Sequence, residues 1–429
     1  VSREPIFGEL VERGCLFQAT DEAGIAGLLA SGTTTIYVGI DPTAESLHLG
    51  HLLPLLTLRR LQRAGHRPLV VLGGATALIG DPSGKSSERV MLSPETVDQA
   101  AESIRHQIGR FLDLATGPQS ARILNNRDWI SPLGVIPFLR DVGKHFSMGA
   151  MLGKESVRTR LGTEGSGLSF TEFSYLLLQA YDFDHLSRSE GCRLQMGGSD
   201  QWGNITAGIE LIRRRQGVEA YGLTLPLVTT ASGTKLGKTE AGTVWLDAQR
   251  TSPYAFYQYL LQIDDRDVGR LLRYFSECTC AEIRSLEEAH AREPEKRVAQ
   301  KALAHELTAR VHGLWEADRV MRVSETLFDG RSISDLDSES FRLLESAVPG
   351  TVVSAAAEGW PLVDLLVATG LAPSKSRART DIQAGAISMN QLRVDTVGKR
   401  VAREEFLWGR YLLLRHGRRH YAWVRLEGE

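Results

Sequence analysis

Cysteine is scarce: four in 429 residues, at Cys15, Cys192, Cys278 and Cys280. No two form the C-x-x-C pair of a zinc site, and four are too few to staple a chain this long. They read as reduced thiols in a cytosolic protein. No apolar run approaches the roughly 18 residues needed to span a bilayer, so a transmembrane helix is excluded. Net charge is also nearly absent, −2 over the whole chain, and gives no sign of a polyanionic partner. The sequence has no internal repeat and no low-complexity tract. Neither a signal peptide nor an Arg/Ser-rich transit segment opens it, although a chain that begins at Val1 leaves a removed leader open.

What is present points to a globular protein of two or three domains: 42% hydrophobic and 24% charged residues over 429 positions. The charge is unevenly spread. From Trp360 to Glu429 there are 12 Lys/Arg against 7 Asp/Glu, a net of +5, which leaves −7 for the rest. A basic tail on an acidic body fits a polyanion; a merely solvated basic surface fits it equally.

The first half alternates short β-branched runs with helical patterns. Residues 33–38 and 68–72 read as strands, with a helix from Leu47 to Arg63 between them and Gly65 as its stop. That is a βαβ unit, and the expected class is α/β with a Rossmann-like doubly wound parallel sheet. Further strands are expected at 193–196 and 225–228. Helical periodicity dominates from Thr251 to about Gly330. The expected division is 1–235 as the α/β domain, 236–330 as a loop and helical domain, 331–359 as a linker, and 360–429 as a small basic α+β domain.

Asp41-Pro42-Thr43 follows the first strand, and His48 and His51 open the next helix. Residues three apart share a helix face, and a helix N-terminus attracts phosphate, so two imidazole donors there suit a departing pyrophosphate. Gly50 between them lets a nucleotide approach the backbone. A surface histidine pair or a weak metal site is the competing reading. Gly80-Asp81-Pro82-Ser83-Gly84-Lys85-Ser86 imitates a P-loop and fails, because Ile79 stands where the pattern needs its first glycine. Lys235-Leu236-Gly237-Lys238-Thr239 places two lysines in a Gly-rich loop, which is either a solvated turn or a mobile cationic clamp.

With both motifs in one α/β domain, a resemblance emerges. His48-Leu49-Gly50-His51 resembles the HIGH motif of class I aminoacyl-tRNA synthetases, with Leu49 for the usual isoleucine. Lys235 to Thr239 resembles their KMSKS loop, in a form similar to that of bacterial tyrosyl-tRNA synthetases. Ser169-Phe170-Thr171-Glu172 reads as a capping box, after which Tyr175, Gln179 and Asp182 fall on one helical stripe. The segments 37–41, 80–85, 175–182 and 195–204 resemble those of the same bacterial enzymes. Two relatives in kind compete: a tryptophanyl enzyme, against which Tyr37 and Asp182 speak, and a small H-x-G-H adenylyltransferase, which would lack the lysine loop and the basic tail.

The resemblance implies tyrosine activation by ATP and its transfer to tRNA(Tyr). It implies that Tyr37 and Asp182 bind the phenol hydroxyl, that Asp81, Tyr175 and Gln179 hold the α-ammonium, and that Gln201 lies near the carboxylate. ATP would meet Gly39, Asp41, Gly50, Gly198, Asp200 and Lys238. Thr43, His48, Lys235 and Lys238 would bear on pyrophosphate, with His51 nearer the ribose. Mg²⁺ would accompany ATP without a dedicated protein cage, and no tightly bound cofactor is expected. A cytoplasmic homodimer is implied, in contact through an insertion near 129–154. The stretch from Gly370 to Asn390 resembles an S4 RNA-binding domain, with Lys375, Arg377 and Arg379 at the start of its second helix.

Overall fold

Six strands build one sheet in a computed structural model of the chain: β1 (Gln18–Ala19), β2 (Thr35–Ile40), β3 (Arg67–Leu72), β4 (Arg122–Asn125), β5 (Leu194–Gly198) and β6 (Tyr221–Leu225). The structure describes residues 5–83, 91–153, 157–158, 169–239, 242–328, 331–345, 348–354, 356, 358–417 and 420–427. The spatial order is β1-β6-β5-β2-β3-β4. β2 to β6 run parallel, and β1 lies antiparallel on the β6 edge. Tyr37 sits opposite both Leu69 of β3 and Gln195 of β5.

The order creates the site. From β2 the chain steps outward to β3 and β4, then returns to lay β5 on the other flank of β2. The connections above β2 and β5 therefore diverge, and the crevice between them lies at the carboxyl ends of both strands. Open α/β sheets bind ligands at such switch points. Helices Leu52–Arg63, Pro94–Ile108, Phe170–Glu190 and Trp202–Gln216 cover the sheet. Tyr37, Leu69, Val71, Phe183, Leu186 and Ile212 form part of its buried core.

The strands depart from the sequence reading at their ends: β3 starts one residue earlier than expected, and β5 runs 194–198 in place of 193–196. β2 begins two residues later than expected. The strand expected at 225–228 is instead Tyr221–Leu225, because Pro226 has no N–H to continue the ladder. Residues 49–51 form a 3-10 turn before the Leu52 helix. The two histidines thus sit in the cap of that helix and not in its first full turn.

The chain divides into two compact units, 1–250 with 263–299, and 251–262 with 300–429. Helices Asp265–Phe275 and Cys280–Arg292 belong to the first, although helical periodicity runs on across the boundary. Arg60 is the reason: its guanidinium donates to the carbonyls of Tyr274 (2.9 Å) and Ser276 (2.8 Å), the orphan acceptors at that helix end.

The second unit combines helices Pro253–Leu261, Leu314–Phe328 and Ser338–Glu345 with a five-stranded sheet. Four of its strands lie between Ile387 and Leu426. The fifth, Gly350–Val353, pairs in parallel with Trp423–Leu426. Residues 331–359 therefore hold a helix and a strand where composition reads as a linker. The signal is hidden because the strand is short and its first residue must be small: a Cβ on Gly350 would lie 2.1 Å from the Trp423 ring. Among the described residues no helix is long and apolar enough to cross a membrane.

Candidate active site

The crevice above β2 and β5 is a cavity of about 540 Å³. Its floor begins with Tyr37, whose ring is buried in the sheet core at 6.0 Å from Phe183. Burial, and then the nearby Asp182 and Asp41, push the Tyr37 hydroxyl well above the ordinary phenol range. It stays protonated and can donate.

Ser169 caps the Phe170–Glu190 helix by accepting from the Glu172 N–H at 3.2 Å. Tyr175, Gln179 and Asp182 then face the cavity on one stripe, as their spacing requires. All three are buried. A buried carboxylate needs donors, and Asp182 has two: Asn126 Nδ2 at 3.0 Å on Oδ2 and Trp129 Nε1 at 2.7 Å on Oδ1. Burial nevertheless wins over those bonds and pushes Asp182 up to about 7.

Asn126 also donates to Thr76 Oγ1 (3.0 Å), which donates to Asp41 Oδ1 (2.8 Å), whose other oxygen accepts from the Tyr175 hydroxyl (2.9 Å). Bonds running outward from Asn126 in both directions thus tie Asp182 to Asp41. A second network runs from Asn204 Nδ2 to Gln179 Oε1 (2.9 Å), from Gln179 Nε2 to Gln201 Oε1 (3.1 Å), and from Gln201 Nε2 to Asp81 Oδ2 (2.7 Å). Asp81 accepts the Ser83 N–H at 2.8 Å as well. Gly84, Lys85 and Ser86 lie outside the described residues.

At the other end of the cavity stand His48 and His51, ring centroids 4.1 Å apart. His48 Nδ1 accepts the Gly50 N–H (3.0 Å) and His51 Nδ1 accepts the His48 N–H (3.1 Å). Both rings therefore carry their neutral-state proton on Nε2. Burial and the neighbouring His48 pull His51 down to about 3. It offers a hydrogen bond and no charge. A Cβ on Gly50 would come 2.8 Å from the His48 ring, so the glycine is required by the fold of the motif itself.

The lysine loop lies alongside. Leu236 N–H donates to the Val228 carbonyl (2.8 Å) and Val244 N–H to that of Gly237 (2.8 Å). Gly237 has φ +79°, and a Cβ there would sit 3.0 Å from Leu49 Cβ. The two motifs touch through these residues, while Lys235 and Lys238 remain exposed at the cavity lining. Trp245 pairs with His48 as an isolated bridge and meets its ring edge-on at 6.1 Å.

The same cavity is lined by Gly39, Asp41, Thr43, Gly50, Gly198 and Asp200. Every candidate residue from Tyr37 to Lys238 thus meets in one space. Sequence reasoning missed Thr76, Asn126, Trp129 and Trp245. Trp129 lies at the start of the expected insertion, yet its indole is turned onto Asp182. Lys375, Arg377 and Arg379 are in the second unit, exposed on helix Lys375–Gln383; Lys375 pairs with Asp364 (2.6 Å) and Arg377 with Asp381 (3.0 Å). Among the described residues no cluster of three His, Cys, Asp or Glu could hold a metal ion.

Residues 30–329 match the family profile described as tRNA synthetases class I (W and Y), and residues 341–424 match the C-terminal domain of SYY-like tyrosine–tRNA ligases. A tyrosine–tRNA ligase of Geobacillus kaustophilus (strain HTA426) is 53% identical over 421 residues, 98% of this chain and 99% of that one. One of Roseiflexus castenholzii (strain DSM 13941 / HLO8) is 51% identical over 424 residues, with the same coverage. Among solved structures, a C-terminally truncated mitochondrial tyrosyl-tRNA synthetase of Aspergillus nidulans superposes with a TM-score of 0.70 at 30% identity, over 76% of this chain and 95% of that one.

Proposed function

This chain belongs to the tyrosine–tRNA ligases within the class I tRNA synthetases, and from that membership we propose how its residues divide the reaction. The enzyme activates L-tyrosine with ATP, giving tyrosyl-adenylate and pyrophosphate, and then transfers tyrosine to the 3′ end of tRNA(Tyr). In our assignment Tyr37 donates to the phenol oxygen and Asp182 accepts a hydrogen bond from the phenol O–H. Phenylalanine would leave the Tyr37 hydroxyl without an acceptor and Asp182, which already holds Asn126 and Trp129, without its third donor, which is the physical source of selection. Asp81 supplies the charge for the α-ammonium, with Gln179 and Tyr175 beside it, and Gln201 flanks the carboxylate.

That carboxylate attacks the α-phosphorus of ATP in line; the new C–O–P bond forms as the bond to the pyrophosphate oxygen breaks. Asp200 holds the ribose, and Gly39, Asp41, Gly50 and Gly198 line the nucleotide. Thr43, His48, Lys235 and Lys238 draw off the charge that builds on pyrophosphate, and His51 serves the ribose side as a neutral donor. Mg²⁺ travels on the phosphates of ATP.

We assign 1–235 to the catalytic domain, 236–330 to the lysine loop and helical part, of which helices Asp265–Phe275 and Cys280–Arg292 belong to one compact unit with the catalytic domain, and 360–429, with Lys375, Arg377 and Arg379, to tRNA phosphates. We assign the chain to the cytoplasm as a homodimer in contact through 129–154; the contact, not the compartment, is supported by Val135, Ile136 and Met148, large apolar residues left 72%, 71% and 61% exposed in one short stretch. Lys154 lies outside the described residues.

The observation that carries the assignment is the single cavity that joins the Tyr37–Asp182 end to the His48, His51, Lys235 and Lys238 end. ATP–pyrophosphate exchange measured against each of the twenty amino acids tests it. Exchange with tyrosine alone is expected; exchange driven by tryptophan, or none, would overturn it.

A further inference from the structure

We infer that His185 is a positioning residue for tyrosine selection, holding the indole of Trp129 so that its N–H stays on Asp182. The inference rests on the assignment of Asp182 to the phenol hydroxyl. His185 and Trp129 stack nearly face to face, ring centroids 4.6 Å apart and planes 11° from parallel. The same indole donates to Asp182 Oδ1 at 2.7 Å. Asp182 and His185 are three residues apart on one helix and share a face. Trp129, from the short helix Arg127–Ile130, spans the two: its edge on the carboxylate and its face on the imidazole.

The rest of that helix segment is braced. Asp184 is fully buried, and its carboxylate accepts from Arg188 (2.8 Å), Arg215 and Gln216 (2.8 Å). Tyr181, one turn earlier, lies 6.4 Å from the His185 ring and carries the Arg215 guanidinium at 5.9 Å. The imidazole is thus anchored through its helix and has two aromatic neighbours, one stacked and one tilted. Burial and Arg188 keep its pKa below the usual imidazole value, against Asp184 and Glu190. A neutral ring stacks on an indole without a counter-charge.

Loss of the stack would free one face of Trp129, and its N–H would no longer be held in one direction. Asp182 would keep Asn126 but lose a donor that favours its charged form, in a pocket where Tyr37 and Asp41 also face it. Less of it would be ionised at neutral pH to accept from the phenol. A residue that only filled space would affect stability and every step alike.

The test is exchange kinetics of the full-length chain with tyrosine and with phenylalanine, for His185→Ala, His185→Phe, Trp129→Phe and the double variant His185→Ala/Trp129→Phe. His185→Ala should raise KM for tyrosine and lower tyrosine-over-phenylalanine selectivity, each by about fivefold, the scale of one aromatic pair, with kcat and KM for ATP within about twofold. His185→Phe, which keeps a flat ring, should restore both. On the Trp129→Phe background His185→Ala should change nothing more. Unchanged KM and selectivity in His185→Ala overturns the inference, as does a His185→Phe variant equally impaired or an effect that survives without Trp129. If the unaltered chain selects tyrosine and His185→Ala matches it, only this inference falls; if the unaltered chain shows no tyrosine-dependent exchange, the substrate assignment falls with it.

Discussion

Asp182 is held at the balance point between burial and its hydrogen bonds. Desolvation pushes its pKa up, Asn126 and Trp129 pull it down, and it ends at about 7. An ionised carboxylate can accept from Asn126, Trp129 and a phenol at once; the protonated acid surrenders one of those sites to its own proton. kcat/KM for tyrosine should therefore fall as pH drops below about 7, and Asp182→Asn should flatten that limb; a limb unchanged in the variant would assign it to another group. The stability effect has the opposite direction. Between about pH 4 and 7 the folded chain holds a proton that the unfolded chain has released, so this residue makes stability fall as pH rises through that window. Removing the acceptor altogether should erode selection: Asp182→Ala should lower tyrosine-over-phenylalanine preference by about 10- to 100-fold, the cost of one unsatisfied buried partner. Unchanged selectivity would remove Asp182 from the phenol site.

At the scale of elements, the two phosphate motifs behave as one surface. Leu49 is wholly buried and packs on Gly237, and the segment after the lysine loop hydrogen-bonds back to the histidine turn, Leu49 N–H on Val244 O at 3.3 Å and Leu246 N–H on Leu47 O at 2.9 Å. Lys238→Ala should slow adenylate formation far more than it weakens tyrosine binding, because an exposed ammonium serves the phosphates and the phenol is assigned to Tyr37 and Asp182. Equal losses in a stopped-flow rate and a tyrosine Kd would count against the clamp. Gly237→Ala meets both a positive φ and Leu49, and should cost about 1–2 kcal/mol of loop order, read as a slower adenylate step at unchanged tyrosine Kd.

These motifs were legible in sequence because each is local: His48 and His51, Lys235 and Lys238, and the Tyr175–Gln179–Asp182 stripe all declare themselves within a few residues. The partners were not. Asn126, Trp129 and Thr76 reach Asp182 or Asp41 only across 35 to 56 positions of chain. The strand Gly350–Val353 depends on Trp423, 73 positions away at Gly350, and no local pattern announces it. Sheet order placed what spacing alone left scattered.

At the scale of the molecule, the basic C-terminal part should be dispensable for chemistry on tyrosine and required for chemistry on tRNA. Where the chain is cut matters. Removing 360–429 strips Gly350–Val353 of its only described strand partner and uncovers Phe341, which packs on Tyr411 at 4.8 Å and Trp408 at 5.7 Å. An exposed strand edge invites aggregation, and uncovering one such ring forfeits about 1.5–3 kcal/mol. A chain ending at residue 330 leaves neither orphan. It loses Gln391 and Tyr421, which donate to the carbonyls of Thr326 and Leu327, as the longer truncation also does, and in addition it strips helix Ser338–Glu345 from Leu314–Phe328, with the Arg319–Ser340 and Arg331–Glu325 contacts. Both should keep tyrosine-dependent exchange and lose tRNA charging, and the shorter chain, which carries no unpaired strand, should aggregate less than the one ending at 359. Full charging by either would refute the RNA role of residues 360–429. Greater aggregation of the chain ending at 330 would mean that 331–359 folds without the sheet that the structure gives it.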